Sequence, residues 1–412
     1  MQLFECLNRR IESYREDMIR MQCELTAIPA VGPESGGEGE SEKAKYLLRT
    51  LAGLGFRDIL VYDAPDDRVP SGVRPNIVVT IPGRENSRSV WIMTHMDVVP
   101  PGERGFWKSD PYQARVEDGK IYGRGTEDNQ QDLVASVFAA KALLDEKAEP
   151  PCRIRLAIVS DEEMGSEYGL KYLLKAHASL FQPEDFFVVP DFGNERGDRI
   201  EIAEKSILWL RLKTVGKQCH ASRPYLGINA FAAGSRLVVR LHDLYEIFNQ
   251  TDSLYDPPMS TFEPTRKDAN VSNVNTIPGE DIFYLDSRIL PQYSLADVLS
   301  QIRRMCSEVE ETYGVSVETT PVQMAQAPRP TPVDAPVVRF LTRAIREVYG
   351  VEAHPIGIGG GTVAACLRHL GFPAAVWGRL GHMAHQPNEF CIIDYMVGNA
   401  KVFGYLFLCG ND

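Results

Sequence analysis

The chain has 412 residues, of which 44% are hydrophobic and 24% are charged, and its formal net charge is −12. This composition is ordinary for a globular protein and excludes the disordered, collagen-like and disulfide-scaffold classes. An acidic chain without a basic cluster argues against nucleic acid and anionic membranes as partners. Its 8 cysteines form no Cys-x-x-Cys pair, and we find no export signal and no apolar membrane span. We therefore expect a cytoplasmic protein.

Helical and strand patterns alternate over residues 1–204. An apolar stripe from Leu3 to Ile28 predicts one long helix that Pro29 ends. Strands are predicted at 59–62, 76–81, 90–93, 153–159 and 186–189, and further helices at 42–53, 128–144 and 167–176. Buried strands that alternate with helices predict an α/β fold with a mostly parallel sheet and helices on both faces.

The pattern changes near Lys205. A strand at 205–215 is followed by a helix (229–249), two strands (271–276 and 281–290), a helix (295–313) and a strand (315–320). This β-α-β-β-α-β order is typical of a ferredoxin-like domain. We therefore predict that residues 1–204 and 324–412 form one domain, and that 205–323 form an inserted α+β domain. Helix and strand patterns of the first domain resume at 336–349, 363–370, 374–377 and 391–408.

Metal-compatible side chains follow several predicted strands of the first domain. They are His95 and Asp97, Asp128, the Asp161-Glu162-Glu163 triplet, Asp191 and His385. Any one of these could be a turn residue, a helix cap or a buried histidine. Their coincidence at the carboxyl ends of strands favours a shared site. Imidazole and carboxylate groups in this number fit two divalent ions with nitrogen and oxygen ligands.

Elementary chemistry limits the roles of these groups. Two metals about 3.5–4 Å apart need a bridging carboxylate. A ligating histidine usually donates its second N–H to a carboxylate, and Asp97 is the nearest candidate for His95. Glu162 and Glu163 are adjacent, so one could bind metal while the other acts as general base. The residue pattern alone leaves that choice open.

Four motifs carry a family resemblance: His95-Met-Asp97-Val-Val-Pro, Gly123-Arg-Gly-Thr-Glu-Asp128, Asp161-Glu-Glu163 and His385-Gln-Pro-Asn-Glu389. In this order they resemble the co-catalytic metallopeptidases and deacylases. That family includes acetylornithine deacetylase, succinyl-diaminopimelate desuccinylase, aminoacylase and glutamate carboxypeptidase. The resemblance extends from about residue 10 to about residue 405.

The resemblance implies a role for each residue of the metal site. His95 and Asp191 would hold one metal, Glu163 and His385 would hold the other, and Asp128 would bridge the two. Asp97 would orient His95, and Glu162 would be the general base and acid. The family also implies a cis peptide between Asp128 and Asn129. Zinc is the expected metal, with cobalt or manganese as alternatives.

The resemblance further makes 205–323 a lid and dimerisation domain, so that the protein would be a homodimer. His220 would polarise the scissile carbonyl, either in cis or from the partner subunit. Substrate contacts would come from Asn275, Arg288, Gly361 and Thr362. Judged by its own segment, His220 is a surface-loop histidine, and Arg288 could simply pair with Asp286 or Glu280. This chain departs from the family at two places, where Val363-Ala-Ala replaces Asp-Ala-Arg and Asn129-Gln-Gln replaces Met-Lys-Gly.

The implied function is hydrolysis of the amide bond of an N-acyl amino acid, through metal-bound hydroxide and Glu162. A dipeptidase or carboxypeptidase of the same family is the alternative, with a short peptide as substrate. Two other classes stay open: a non-catalytic binding relative, and a nucleotide-dependent transferase that uses the Gly-rich segment 357–361. That segment lacks the spacing of a phosphate-binding loop, which disfavours the transferase.

Overall fold

The computed structural model describes residues 2–409 and divides into two compact units. Unit 1 comprises the described residues up to Ile202, Thr331–Pro355, and those from Cys366 onward. Unit 2 comprises Ala203–Pro330 and Ile356–Ala365, a range that includes the predicted insertion at 205–323. Within residues 2–409, no helix combines the length and the apolarity needed to cross a lipid bilayer.

Eleven α-helices are assigned within the described residues. They are α1 (Gln2–Ser13), α2 (Arg15–Thr26), α3 (Ser41–Gly53), α4 (Gln131–Asp145), α5 (Leu170–Ala176), α6 (Ala230–Leu241), α7 (Leu244–Ile247), α8 (Leu295–Tyr313), α9 (Pro336–Tyr349), α10 (Ala364–His369) and α11 (Ile393–Leu408). The predicted single N-terminal helix is thus two helices that meet at Tyr14. Buried residues lie on the same stripe on both sides of the break, so periodicity alone could not reveal it.

Seventeen strands are assigned within the same residues. They are β1 (Asp58–Pro65), β2 (Val73–Ile81), β3 (Glu85–His95), β4 (Arg115–Glu117), β5 (Lys120–Tyr122), β6 (Cys152–Val159), β7 (Phe186–Asn194), β8 (Arg199–Glu204), β9 (Ser206–Val215), β10 (Cys219–His220), β11 (Thr261–Lys267), β12 (Thr276–Ile277), β13 (Glu280–Ile289), β14 (Ser316–Ala325), β15 (His354–Ile358), β16 (Ala374–Arg379) and β17 (Phe390–Ile392). Of the strands in the largest sheet, β8 and β15 were not predicted.

An eight-stranded sheet with the order β1-β2-β6-β3-β7-β16-β8-β15 positions the candidate site. Its four central strands, β6, β3, β7 and β16, run parallel, and β1 and β2 are antiparallel additions at one edge. Helix α4 packs against β3 and β6, and α9 packs against β7 and β16. The α/β fold predicted from the alternation of elements is therefore confirmed.

Strands β7 and β16 approach each other unusually closely at a pair of glycines. Gly193 lies opposite Gly378, next to a register irregularity in β16. A Cβ atom placed on Gly193 would come within 1.7 Å of the Gly378 carbonyl oxygen. Only glycine at position 193 permits this separation, because every other residue carries a Cβ atom.

Unit 2 contains a four-stranded antiparallel sheet in the order β11-β13-β9-β14. Helices α6 and α8 pack together and cover it, and the chain order and strand order are those of a ferredoxin-like domain. The predicted strand at 271–276 is wrong: its place is taken by β11, at Thr261–Lys267. Proline disfavours a central strand, but β11 is an edge strand with a bulge beside Pro264, a position where proline is tolerated.

Candidate metal centre

Six predicted site residues converge at the carboxyl ends of adjacent parallel strands in unit 1. His95 ends β3, Glu162 and Glu163 follow β6, Asp191 lies in β7, and Asp128 and His385 lie in the segments before α4 and after β16. Parallel neighbours end at the same edge of a sheet, which is where sites of α/β folds collect. Two overlapping groups have ligand atoms within 4.8 Å of one another: His95, Glu162 and Asp191, and His95, Asp128 and Glu163.

Asp128 lies between the two histidines. Its Oδ1 atom is 3.0 Å from His95 Nε2, and its Oδ2 atom is 3.2 Å from His385 Nε2. His95 Nε2 is also 3.5 Å from Asp191 Oδ1, and His385 Nε2 is 3.0 Å from Glu163 Oε2. One carboxylate thus faces both imidazoles, while each imidazole has a second carboxylate of its own.

The neighbours Glu162 and Glu163 have different surroundings. Glu163 faces His385 through one oxygen, while its other oxygen, Oε1, is buried without a hydrogen-bond partner. The carboxylate of Glu162 has no hydrogen bond or ion pair within residues 2–409. Burial raises the pKa of both groups, and the charge of Asp191 adds to the effect on Glu162, whose pKa is raised well above its ordinary range.

The donor set fits divalent cations. None of the lysines or arginines in the described chain forms an ion pair with Asp128, Glu162, Glu163 or Asp191. Grouped carboxylates without a lysine or arginine partner are a setting in which nitrogen- and oxygen-ligated divalent ions supply the balancing positive charge. Hydrogen bonds to Asp128 and Glu163 raise the pKa of His385 to about 10. A proton therefore competes with a cation for this nitrogen at neutral pH.

Asp97 organises the site in two ways. The His95 Nδ1 atom is 3.0 Å from the backbone carbonyl oxygen of Asp97 and 3.5 Å from its carboxylate. The carboxylate oxygens of Asp97 accept hydrogen bonds from the backbone N–H groups of Glu162 and Glu163, each at 3.1 Å. Asp97 therefore fixes the ring of His95 and the backbone that carries both glutamates.

Glu389 holds the segment that carries Asp128. Its carboxylate accepts backbone hydrogen bonds from Gly125 and Glu127 at 2.9 Å and from Asp128 at 3.1 Å. It also accepts a hydrogen bond from the buried Arg124 at 2.6 Å. Glu389 belongs to one of the four motifs but had no predicted role, because backbone N–H groups as partners leave no mark in a sequence.

Glu127 does the same for the segment that carries His385. Its carboxylate accepts hydrogen bonds from the backbone N–H groups of Gly381, Met383 and Ala384, the last at 3.1 Å. Glu127 is buried, and burial raises its pKa while the three backbone bonds oppose the rise. No role for Glu127 was predicted either, although its place next to Asp128 was a usable signal.

The peptide bond between Asp128 and Asn129 is cis, as the resemblance implied. The side chain of Asn129 donates hydrogen bonds to the Pro190 carbonyl oxygen at 2.7 Å and to Asp191 Oδ1 at 3.1 Å. Asn129 thus links the segment of Asp128 to the residues Pro190 and Asp191 of β7.

His220 lies in unit 2, in the short strand β10, and its side chain is exposed. Its Nδ1 atom accepts a hydrogen bond from the backbone N–H of Ser222 at 3.1 Å, and the Ser222 hydroxyl lies 2.9 Å away. Because a nitrogen that accepts carries no proton in the neutral ring, the proton of neutral His220 resides on Nε2. This ring can therefore donate a hydrogen bond from Nε2.

The remaining predicted substrate residues also belong to unit 2. Asn275 precedes β12, which pairs with the strand of His220, and its Oδ1 accepts a hydrogen bond from Asn273 at 2.7 Å. Arg288 forms two hydrogen bonds with Asp286 and donates a third to the Gly359 carbonyl oxygen at 2.9 Å. The pairing with Asp286 is the structural alternative considered above, and binding of a substrate carboxylate would require its exchange.

Gly361 ends the Gly-rich segment 357–361, and Thr362 follows it. The backbone N–H and the hydroxyl of Thr362 both donate to Glu204 Oε1, at 2.9 and 2.5 Å. The amide of Thr362 is therefore engaged within unit 2. A Cβ atom on Gly361 would meet only Ile207, at 3.9 Å, so its backbone has an open side.

Comparison with known proteins gives matches over nearly the whole chain. Residues 91–408 match the model of peptidase family M20/M25/M40. A metallohydrolase of Methanocaldococcus jannaschii, named as uncharacterised, is 40% identical over 94% of this chain and 98% of its own length. The succinyl-diaminopimelate desuccinylase of Gluconacetobacter diazotrophicus is 30% identical over 89% and 90%. The crystal structure of human carnosine dipeptidase 1 superposes with a TM-score of 0.73 at 19% identity, covering 98% of each chain.

Proposed function

The chain belongs to peptidase family M20/M25/M40 and is a metallohydrolase that acts on amide bonds, and from this premise we propose that it removes the acyl group of an N-acyl amino acid. The proposed products are a carboxylic acid and a free amino acid. A relative named for removing the succinyl group of succinyl-diaminopimelate, 30% identical to this chain, supports this substrate class. A short peptide is the competing substrate, because an N-terminal residue is chemically also an acyl group.

In the proposed site, His95 and Asp191 would hold one divalent ion, Glu163 and His385 would hold the other, and Asp128 would be shared by the two. The support is the position of Asp128 between the two histidines, together with the unpartnered Oε1 of Glu163. Two such ions supply positive charge that acidifies a water molecule and polarises the amide carbonyl. Zinc is the proposed metal, and cobalt and manganese accept the same ligands.

Glu162 is the proposed general base, and its lack of partners is the observation that carries this assignment. Glu163 is engaged with His385, whereas the carboxylate of Glu162 is free beside His95 and Asp191. Glu162 takes a proton from the attacking water, whose oxygen forms a bond to the amide carbon. It then delivers this proton to the nitrogen as the C–N bond breaks. The net change is one water consumed and one amine released.

His220 is the proposed donor to the carbonyl oxygen, because Ser222 leaves the proton of the neutral ring on Nε2. Such a donor stabilises negative charge on the oxygen in the transition state. We further propose that unit 2 acts as a lid and dimerisation domain, with His220 acting in cis or from the partner subunit.

A substrate panel tests the proposal. Purified protein reconstituted with Zn²⁺, Co²⁺ or Mn²⁺ is given N-acetyl and N-succinyl amino acids and dipeptides, and released amine is measured. We expect turnover with at least one N-acyl amino acid and none after chelation. Turnover of dipeptides alone would show that the protein is a peptidase and not a deacylase. Failure with every substrate, at full metal loading, would contradict both.

Glu162→Gln tests the mechanism. We expect turnover to fall by about a thousandfold or more, as when a general base and proton carrier is lost, with metal content unchanged. Glu42→Gln, a change at an exposed glutamate on α3 that pairs with Lys45, is the matched control and should keep full activity. Loss of one metal equivalent in Glu162→Gln would make this residue a ligand instead.

A further inference from the structure

A cleft in unit 1 lies away from the candidate metal centre and holds about 650 Å³. It is lined by residues of β1, β2 and β6 and by the segment that follows α3. Along β6, Arg153 lies near the amino end, whereas Glu162 and Glu163 come after the carboxyl end. At about 3.3 Å per residue, six residues of strand separate the two regions by roughly 20 Å.

Three arginines line the cleft, namely Arg57, Arg153 and Arg155, against one acidic residue, Asp58. Within the described part of the chain, none of the three forms an ion pair. Arg153 donates to the Asn86 carbonyl oxygen and Arg155 to the Leu180 carbonyl oxygen. Three guanidinium groups without an ion pair therefore line one cleft beside a single carboxylate.

Arg155 has a nitrogen without a partner. Its Nε atom is buried and makes no hydrogen bond within residues 2–409, while its guanidinium lies 4.9 Å from the ring centroid of Trp91. Burial, with the nearby charge of Arg153, lowers the pKa of Arg155. An anion in the cleft would offset the repulsion between these two cations and could accept hydrogen bonds from their guanidinium groups.

The rest of the lining is mainly apolar. Leu60, Val78, Ile81, Leu144 and Leu180 contribute to it, and the side chain of Leu60 is half exposed. An inorganic ion would bind the guanidinium groups and leave the apolar lining exposed to water. A ligand that combines an anionic head with an apolar body would use both parts, since each buried CH₂ group contributes about 0.8 kcal/mol.

We propose that this cleft is a second ligand site, which binds a small amphipathic anion: a carboxylate head between Arg57, Arg153 and Arg155, with an aliphatic or aromatic body over Leu60 and its apolar neighbours. The site is independent of the proposed amide hydrolysis, because it shares no residue with the metal centre. An occupant would contact the edge strand β1 and its neighbours β2 and β6.

Titration calorimetry with sodium octanoate, and separately with inorganic phosphate, tests this site on the full-length, metal-loaded protein. The variants are Arg57→Gln, Arg153→Gln and the double variant, with Arg339→Gln, at an exposed arginine on α9, as the charge-matched control. We expect one octanoate per chain, affinity reduced about tenfold or more in the double variant, and no change in Arg339→Gln. Thermal unfolding of each variant shows whether the fold is intact, and Arg57, being exposed, gives a variant that should fold.

Three results would overturn the proposal. Octanoate that fails to bind at millimolar concentration leaves the cleft without the stated ligand. Binding that is equally strong in the double variant places octanoate elsewhere, for example at the metal centre. Phosphate that binds as tightly as octanoate shows that the apolar lining contributes nothing. Because none of these readouts depends on turnover, failure here leaves the proposed hydrolase untouched, and the reverse also holds.

Discussion

The Oδ2 atom of Asp97 accepts a hydrogen bond from the backbone N–H of Glu163 at 3.1 Å. The other oxygen accepts one from the N–H of Glu162, so a single carboxylate aligns the backbone of the proposed base and of a proposed ligand. In Asp97→Asn, the amide NH₂ would face one of these N–H groups, and that hydrogen bond would be lost. We expect metal affinity and turnover each to fall about 10- to 100-fold, as for other residues that orient ligands.

Metal titration with a chromophoric chelator, together with steady-state kinetics, measures both effects of Asp97→Asn. The role of Asp97 would be refuted by a variant that binds metal and turns over like the unmodified protein. If only the backbone carbonyl oxygen of Asp97 matters to His95, Asp97→Asn will be silent, because the substitution leaves that oxygen in place.

Glu127 positions the backbone from Gly381 to Ala384, immediately before His385. In Glu127→Gln, one carboxylate oxygen becomes an NH₂ group that cannot accept, so at least one of the three backbone bonds is lost. We expect His385 to be less well positioned, with the affinity for one of the two metals reduced about 10- to 100-fold and the other unchanged. Metal stoichiometry at limiting free metal measures this, and Glu184→Gln, at an exposed position, is the control. Equal loss of both metals would count against a local effect.

His220 is the proposed hydrogen-bond donor to the carbonyl oxygen of the substrate, and it is not a proposed metal ligand. We therefore expect His220→Ala to lower kcat about 100- to 1,000-fold, the range found when one donor to a developing oxyanion is removed. Metal content should stay the same. The exposed His242 on the same unit provides the control His242→Ala. A His220→Ala variant with unchanged kcat would return His220 to the status of a surface-loop histidine.

Asp132 is fully buried in α4, where it accepts a hydrogen bond from Asn399 at 2.8 Å. Burial raises its pKa to about 8, whereas an unfolded aspartate titrates near pH 3.9. Between about pH 4 and about pH 8 the folded state therefore binds more protons than the unfolded state, and this group lowers the free energy of unfolding as pH rises. Asp132→Asn lacks this titration and keeps an acceptor for Asn399.

We therefore expect the free energy of unfolding of Asp132→Asn, relative to the unmodified protein, to increase between pH 5 and pH 8. Urea unfolding of both proteins at the two pH values measures the difference. A difference that does not change with pH would show that Asp132 is ionised throughout this range in the folded protein.

The sequence predicted the α/β fold and the proposed ligands for the same physical reason. Strands such as β3 and β6 are continuous apolar runs, and the polar residue that ends such a run must lie at an edge of the sheet. Strand β8 was not predicted, and it contains two glutamates, Glu201 and Glu204, a residue type that is usually exposed. Glu201 is in fact fully buried and paired with Arg368 at 2.7 Å, a residue 167 positions later that no local pattern could indicate.

The roles of the residues that support the site could not be predicted from the sequence, for a related reason. Glu127 and Glu389 act through backbone N–H groups of segments more than 250 residues away, and every residue except proline has such a group. Side-chain chemistry can be read from a sequence, whereas the choice of backbone partner depends on how the strands are arranged. The role of Thr362 depends equally on its partner Glu204, a residue 158 positions earlier that only the fold brings to it.

The contact of Gly193 with Gly378 limits how this enzyme can be altered. Asp191 lies two residues before Gly193, and β16 leads from Gly378 to the segment of His385, so the two proposed ligands are spaced by a backbone contact between β7 and β16. An alanine at position 193 would force these strands apart and alter the distance between ligands without touching either one. A substitution at position 193 is therefore expected to weaken metal binding without removing any ligand.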